Sequence, residues 1–256
     1  MSPLRHEPDL QAGAWVAERL GTFGAVVGSL VPQGFEAYAR VLHPLEDENG
    51  EPARWADVAA VTGQTLHPLA QFWRLARRPG PLVYEPGFPH GTVSPEHASA
   101  REAGRREWAG TNPETGSLAP ADLARLTDLL RVATTTPQDC VMALWEGWAG
   151  AHHRPRFVLP GRQYLLYHGR LEHAGTLRDG GLADDGPRRS PSLFWPHDRA
   201  WCVASEIDLD STVVGGSREL VDAIVTDPGL EAFAVDVGDS LMADADLVNG
   251  GGPTVA

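Results

Sequence analysis

Residues 192–210 read SLFWPHDRAWCVASEIDLD. From Trp201 onward the pattern alternates: Trp201, Val203, Ser205, Ile207 and Leu209 take one face, and Ala204, Glu206, Asp208 and Asp210 the other. A period of two is that of a strand with one apolar flank. Residues 201–210 are therefore expected to form a β-strand carrying a row of three carboxylates on its wet side. Gly215 and Gly216 follow, and then Ser217, which is placed to N-cap a helix with Leu220, Val221, Ile224 and Val225 facing inward. Asp227-Pro228-Gly229 ends it.

Working outward, Leu123, Leu126, Leu129 and Leu130 form the apolar stripe of a helix over 120–133. Cys140 to Trp148 is apolar on both faces, as in a central strand, and residues 163–168 give another strand. In the first half, residues 10–20 and 54–62 read as helices closed by Gly21 and Gly63, and 67–77 as a further helix. Residues 25–31 and 35–43 read as two strands, and the Val31-Pro32-Gln33-Gly34 break between them suits a hairpin. Seven of the 21 prolines lie between Pro79 and Pro120. That stretch is read as a surface insertion or hinge, with a helix starting at Ser94-Pro95-Glu96. Strands grouped as hairpins, with helices between the groups, predict an α+β fold around a largely antiparallel sheet, one domain over 1–256.

The 256 residues contain 21 arginines and no lysine. Schiff-base enzymes, pyridoxal phosphate enzymes, P-loop nucleotide hydrolases and protein kinases need an essential ammonium, so those classes are excluded. The formal net charge of −13 opposes nucleic acid and anionic membrane surfaces. After Arg218 come eight acidic residues, from Glu219 to Asp246, with no cation among them. Cys140 and Cys202 sit in apolar runs and suit a reduced interior. With no apolar signal core at the N-terminus and no run of membrane-spanning length, a cytoplasmic protein is expected.

Asp208-Leu209-Asp210-Ser211-Thr212 matches by its letters the nucleophile motif of haloacid-dehalogenase-type phosphatases. Only 44 residues follow it, however, and the lysine those enzymes need is missing. Laid on a calcium loop, Asp208, Asp210, Thr212 and Glu219 take ligand positions, but Val213 stands where the sharp bend requires glycine. His152, His153, His168 and His173 lack HExxH or paired-Cys spacing. There is no Gly-x-Ser-x-Gly frame and no dinucleotide fingerprint, so no cofactor identifies itself. What stands above background is tryptophan: Trp145, Trp148, Trp195 and Trp201 occur in or beside strands, next to Glu146, His197, Asp198 and Arg199.

The block Trp195–Ser217 resembles one found in uncharacterised proteins of GC-rich actinobacteria, in keeping with the abundance of Ala, Gly, Pro and Arg. The order of late strand, Gly/Ser loop and amphipathic helix in the C-terminal half is similar to that of SUKH domains, α+β binding modules that include toxin-immunity proteins. These readings imply a non-catalytic binding module that recognises a basic protein partner or a small ligand. Its Trp-lined surface would comprise Trp145, Trp148, Trp195, Asp198 and Arg199. The rival reading is a metal-assisted hydrolase in which Glu206, Asp208 and Asp210 hold the cation and a histidine serves as base.

Overall fold

The strand and helix periods of the sequence are realised as an α+β fold. The computed structural model describes residues 4–78, 106–150, 153–182 and 186–249. In chain order the strands are β1 (Arg5–His6), β2 (Ala37–Leu42), β3 (Leu45–Glu46), β4 (Pro52–Ala53), β5 (Cys140–Trp145), β6 (Phe157–Leu159), β7 (Arg162–Gly169), β8 (Leu193–Pro196), β9 (Cys202–Ser205), β10 (Ser211–Gly216) and β11 (Ala232–Val235). The α-helices are α1 (Ala14–Arg19), α2 (Val27–Leu30), α3 (Trp55–Thr62), α4 (Phe72–Leu75), α5 (Pro120–Val132), α6 (Glu146–Ala149) and α7 (Arg218–Thr226). The chain divides into two compact units, one of residues 1–43 and 114–239 and the other of residues 44–113 and 240–256.

The first unit holds an antiparallel sheet, nine-stranded among the described residues, in the order β1-β7-β5-β8-β9-β10-β2-β11, with β6 also on β7. Alternation gives it two apolar faces. Cys140, Met142 and Leu144 of β5 join Leu165, Phe194, Val203, Val214 and Val41 on the face that meets Leu123, Leu126 and Leu130 of α5 and Leu220, Val221 and Ile224 of α7. Both helices match their expected spans, because a leucine stripe and a serine cap are local signals. The Ser217 hydroxyl accepts from the Leu220 amide at 3.2 Å. The opposite face is covered by the N-terminal segment, where Trp15 meets Trp195 edge-on at 6.1 Å and Phe35 meets Tyr38 at 6.3 Å.

Three expected strands differ. The one expected over Cys140–Trp148 ends at Trp145, and Glu146–Ala149 turn into α6. Residues 25–31 do not form a strand and do not pair with 35–43; four of them make α2. The Ser29 hydroxyl shares its one proton between the Gly24 and Val26 carbonyls and accepts from the Val26 amide, and these local bonds replace ladder bonds. β2 instead runs between β10 and β11, with Val41 opposite Thr212 and Ala232. The strand expected through Asp210 stops at Ser205. The Leu209 amide closes a turn on the Glu206 carbonyl at 2.9 Å, and the chain returns as β10 with Thr212 opposite Ser205.

The second unit has the β3–β4 hairpin, α3 and α4, with Trp55 on Phe72 at 5.3 Å. Gly63 caps α3 in the left-handed region, at φ 70°, as expected. The helix expected over 67–77 is reduced to one turn. The Gln71 amide, free of helical bonding at that point, donates to the Asp246 carboxylate at 3.1 Å. That fully buried carboxylate also takes His67, the amides of Val248 and Asn249 and the Asn249 side chain. Residues 79–105, including the helix start expected at Ser94, lie outside the described residues.

Candidate functional site

The turn from β8 to β9 carries the polar end of the block that dominates the sequence reading. Arg199 sits in the left-handed region at φ 57°, an uncommon conformation for a residue with a Cβ. Its amide donates to the Pro196 carbonyl at 2.9 Å. Asp198 holds the turn in place: its carboxylate accepts from the Thr134 hydroxyl at 2.7 Å, the Thr135 amide at 2.7 Å, the Thr135 hydroxyl at 2.8 Å and the Ala200 amide at 3.2 Å. Desolvation raises its pKa, but these donors outweigh that and hold it below the ordinary carboxylate value. Asp198 is thus an anchor rather than a free charge.

Trp195 points from β8 into the N-terminal side of the sheet and is buried against Trp15 and Phe157. The guanidinium of Arg199 lies over the Trp15 ring at 5.4 Å, and that of Arg19, from the last turn of α1, at 5.9 Å. Both arginines are exposed, and neither has a carboxylate partner among the described residues. Trp15 is itself 4% exposed, and its indole Nε1–H has no acceptor among the described residues. The site is an aromatic cluster of buried Trp15 and Trp195 and half-buried Phe35, with two guanidinium groups over the Trp15 ring.

The two remaining tryptophans expected at the binding surface lie elsewhere. Val141 is opposite Trp195 in the ladder, so Trp145 is four residues further along β5, roughly 13 Å away at the strand rise. There it meets Trp148 edge-on at 5.8 Å. Arg189 stacks on Trp148 at 4.6 Å, yet its charge is spent on Asp179 and Glu114, each at 2.7 Å. The expected surface is therefore split between two ends of the sheet, with Trp195, Asp198 and Arg199 at one and Trp145 and Trp148 at the other.

Glu206, Asp208 and Asp210 do not stand in a row on a wet strand face, because they fall in the turn after β9. Arg162 donates to Glu206 from Nε at 2.8 Å and to Asp208 from Nη2 at 2.6 Å. Asp210 meets Arg40 at 3.4 Å instead. Desolvation raises the Asp210 pKa, opposed by the Arg40 charge. Among the described residues no group of three or more His, Cys, Asp or Glu side chains could hold a metal ion. The crevice beside Arg162, lined in part by Phe23, Tyr164 and Glu206, encloses about 30 Å³, room for a water molecule or so. Of the histidines, His168 bonds Asp139 and Arg5, His173 lies 3.7 Å from Glu172, and His152 falls outside the described residues.

Sequence reasoning missed a buried relay. The Ser205 and Thr212 hydroxyls are 2.7 Å apart, Thr212 Oγ1 is 2.9 Å from His43 Nε2, and His43 Nδ1 is 2.6 Å from the Glu114 carbonyl oxygen. Burial, opposed by that carbonyl, pushes the His43 pKa down to about 4. A neutral ring has one N–H. Nδ1–H therefore donates to Glu114 and Nε2 accepts from Thr212. The three side chains are almost wholly buried, so the relay ties β2, β9 and β10 together. Also missed were Trp15 and Arg19, whose only sequence signal is their place on a predicted helix. No family model, curated protein or solved structure matches this chain.

Proposed function

We propose that this protein is a non-catalytic α+β binding module whose receptor surface is the Trp15 cluster: Arg19 and Arg199 exposed over Trp15 and Trp195, with Asp198 setting the turn. The observation that carries this reading is the pair of guanidinium groups held within cation–π range of one indole without a carboxylate partner among the described residues. Attraction to the ring face limits the freedom each guanidinium has to lose on binding, which favours recognition. Among the described residues, several groups suited to acid–base or nucleophilic work are occupied: His43, Ser205 and Thr212 are buried in one relay, and Glu206 and Asp208 are held by Arg162.

Thermal unfolding in the presence of defined ligands separates this reading from the metal-assisted hydrolase. The expected result is no shift with Mg²⁺, Mn²⁺ or Ca²⁺, and stabilisation by a non-metal ligand that Arg199→Gln removes. Stabilisation by one of those ions that disappears in Asp208→Asn would instead favour the hydrolase.

A further inference from the structure

The Trp15 cluster also indicates the charge of what it receives. Carboxylates outnumber arginines, 34 to 21, so an arginine has a ready supply of internal partners. Arg40, Arg125, Arg131, Arg156, Arg162, Arg170 and Arg189 each hold one, whereas others, such as Arg5, Arg178 and Arg188, have none among the described residues. Arg19 and Arg199, brought to one ring from positions 180 residues apart, hold none among the described residues. Two like charges near one indole repel each other, and a bound anion offsets that cost. The Trp15 indole N–H is buried without an acceptor among the described residues, so it reports on the cluster from beneath and does not itself reach a ligand. Arg199 keeps a left-handed backbone, a local cost that such sites tolerate when the surrounding bonds, here those of Asp198, over-determine the turn.

Resting on the receptor reading above, we infer that the Trp15 cluster binds an oxyanion group, a phosphate or a carboxylate, through the guanidinium forks of Arg19 and Arg199. The planar fork matches two oxygens of either group at once. The net charge of −13 repels anions at long range, and screening at physiological salt confines that repulsion to about 8 Å. Recognition therefore rests on these short-range contacts.

The test uses the full-length protein labelled with ¹⁵N, observing arginine Nε–H and indole N–H resonances. Inorganic phosphate, an oligo-glutamate peptide and an oligo-arginine peptide are titrated separately. The expected result is a saturable shift of the Trp15, Arg19 and Arg199 signals with at least one of the two anionic probes. Phosphate alone would point to a phosphorylated or free-phosphate source, and the glutamate peptide alone to an acidic peptide. Arg199→Gln and Arg19→Gln should each weaken Kd about tenfold. Arg170→Gln, an exposed arginine paired with Glu172, should leave it unchanged. If neither anion gave a saturable shift while the arginine peptide moved the Trp15 signal, the receptor reading would stand and the oxyanion assignment would fall. If no probe moved that signal, or if the shifts survived both substitutions together, the site itself would be wrong.

Discussion

Replacing Trp201 by alanine is expected to lower the unfolding free energy by about 3–5 kcal/mol, a large part of the 5–15 kcal/mol typical of native proteins. The ring is fully buried where the sheet meets α5, and it packs edge-on against Phe194 at 5.6 Å. Its indole Nε1–H donates at 3.0 Å to the Leu130 carbonyl in the last turn of α5, which also accepts the Ala133 amide at 3.2 Å. Alanine would leave a cavity and remove that donor. Trp201→Phe keeps most of the aromatic volume and loses the hydrogen bond, so a smaller loss, nearer 1 kcal/mol for the bond plus some repacking, is expected. Urea unfolding of both variants checks the order, and an alanine variant within 1 kcal/mol of the parent would contradict this account of the core.

Asp246→Ala should cost about as much, roughly 3–5 kcal/mol, because it leaves several buried donors without an acceptor. The carboxylate takes His67 at 2.8 Å, the Gln71 amide at 3.1 Å, and Asn249 through both its amide and its side chain at 2.9 Å. Desolvation raises its pKa, but these bonds outweigh that and hold it below the usual value. The sign of the pH dependence follows. A group whose folded pKa is depressed contributes stability above its unfolded pKa, near 3.9 for aspartate, and that contribution is lost as pH falls through the folded value. Chemical unfolding between pH 6 and about 2 should therefore show the parent losing stability toward acid with a steeper slope than Asp246→Asn. Parallel profiles would mean that Asp246 is not a linked group.

The parts of this fold that were legible in sequence are those whose signal is local. The Leu123–Leu130 stripe, the Ser217 cap and Gly63 each act within one or two turns, and α5, α7 and α3 appear as expected. Pairing is not local. Adjacency suggested that 35–43 would pair with 25–31, yet the partners of β2 lie in 211–216 and 232–235. The alternation from Trp201 continued by chance through Glu206–Asp210, beyond the point where the ladder turns back at Ser205. The candidate site divides in the same way. Trp195, Asp198 and Arg199 were recognisable because they are neighbours in one block, whereas Trp15 and Arg19 join them only through the folded sheet. The carboxylates were visible, but their counter-charges were not: Arg162 is 44 residues from Glu206, and Arg40 is 170 from Asp210.

The position of β2 between β10 and β11 also constrains biosynthesis. During translation this early strand emerges long before either neighbour exists, and its ladder cannot close until the segment through Val235 has left the ribosome. Any nascent chain cut short before Ser211 would leave the Ala37–Leu42 backbone unsatisfied and its apolar side chains uncovered, a substrate for chaperones or proteases.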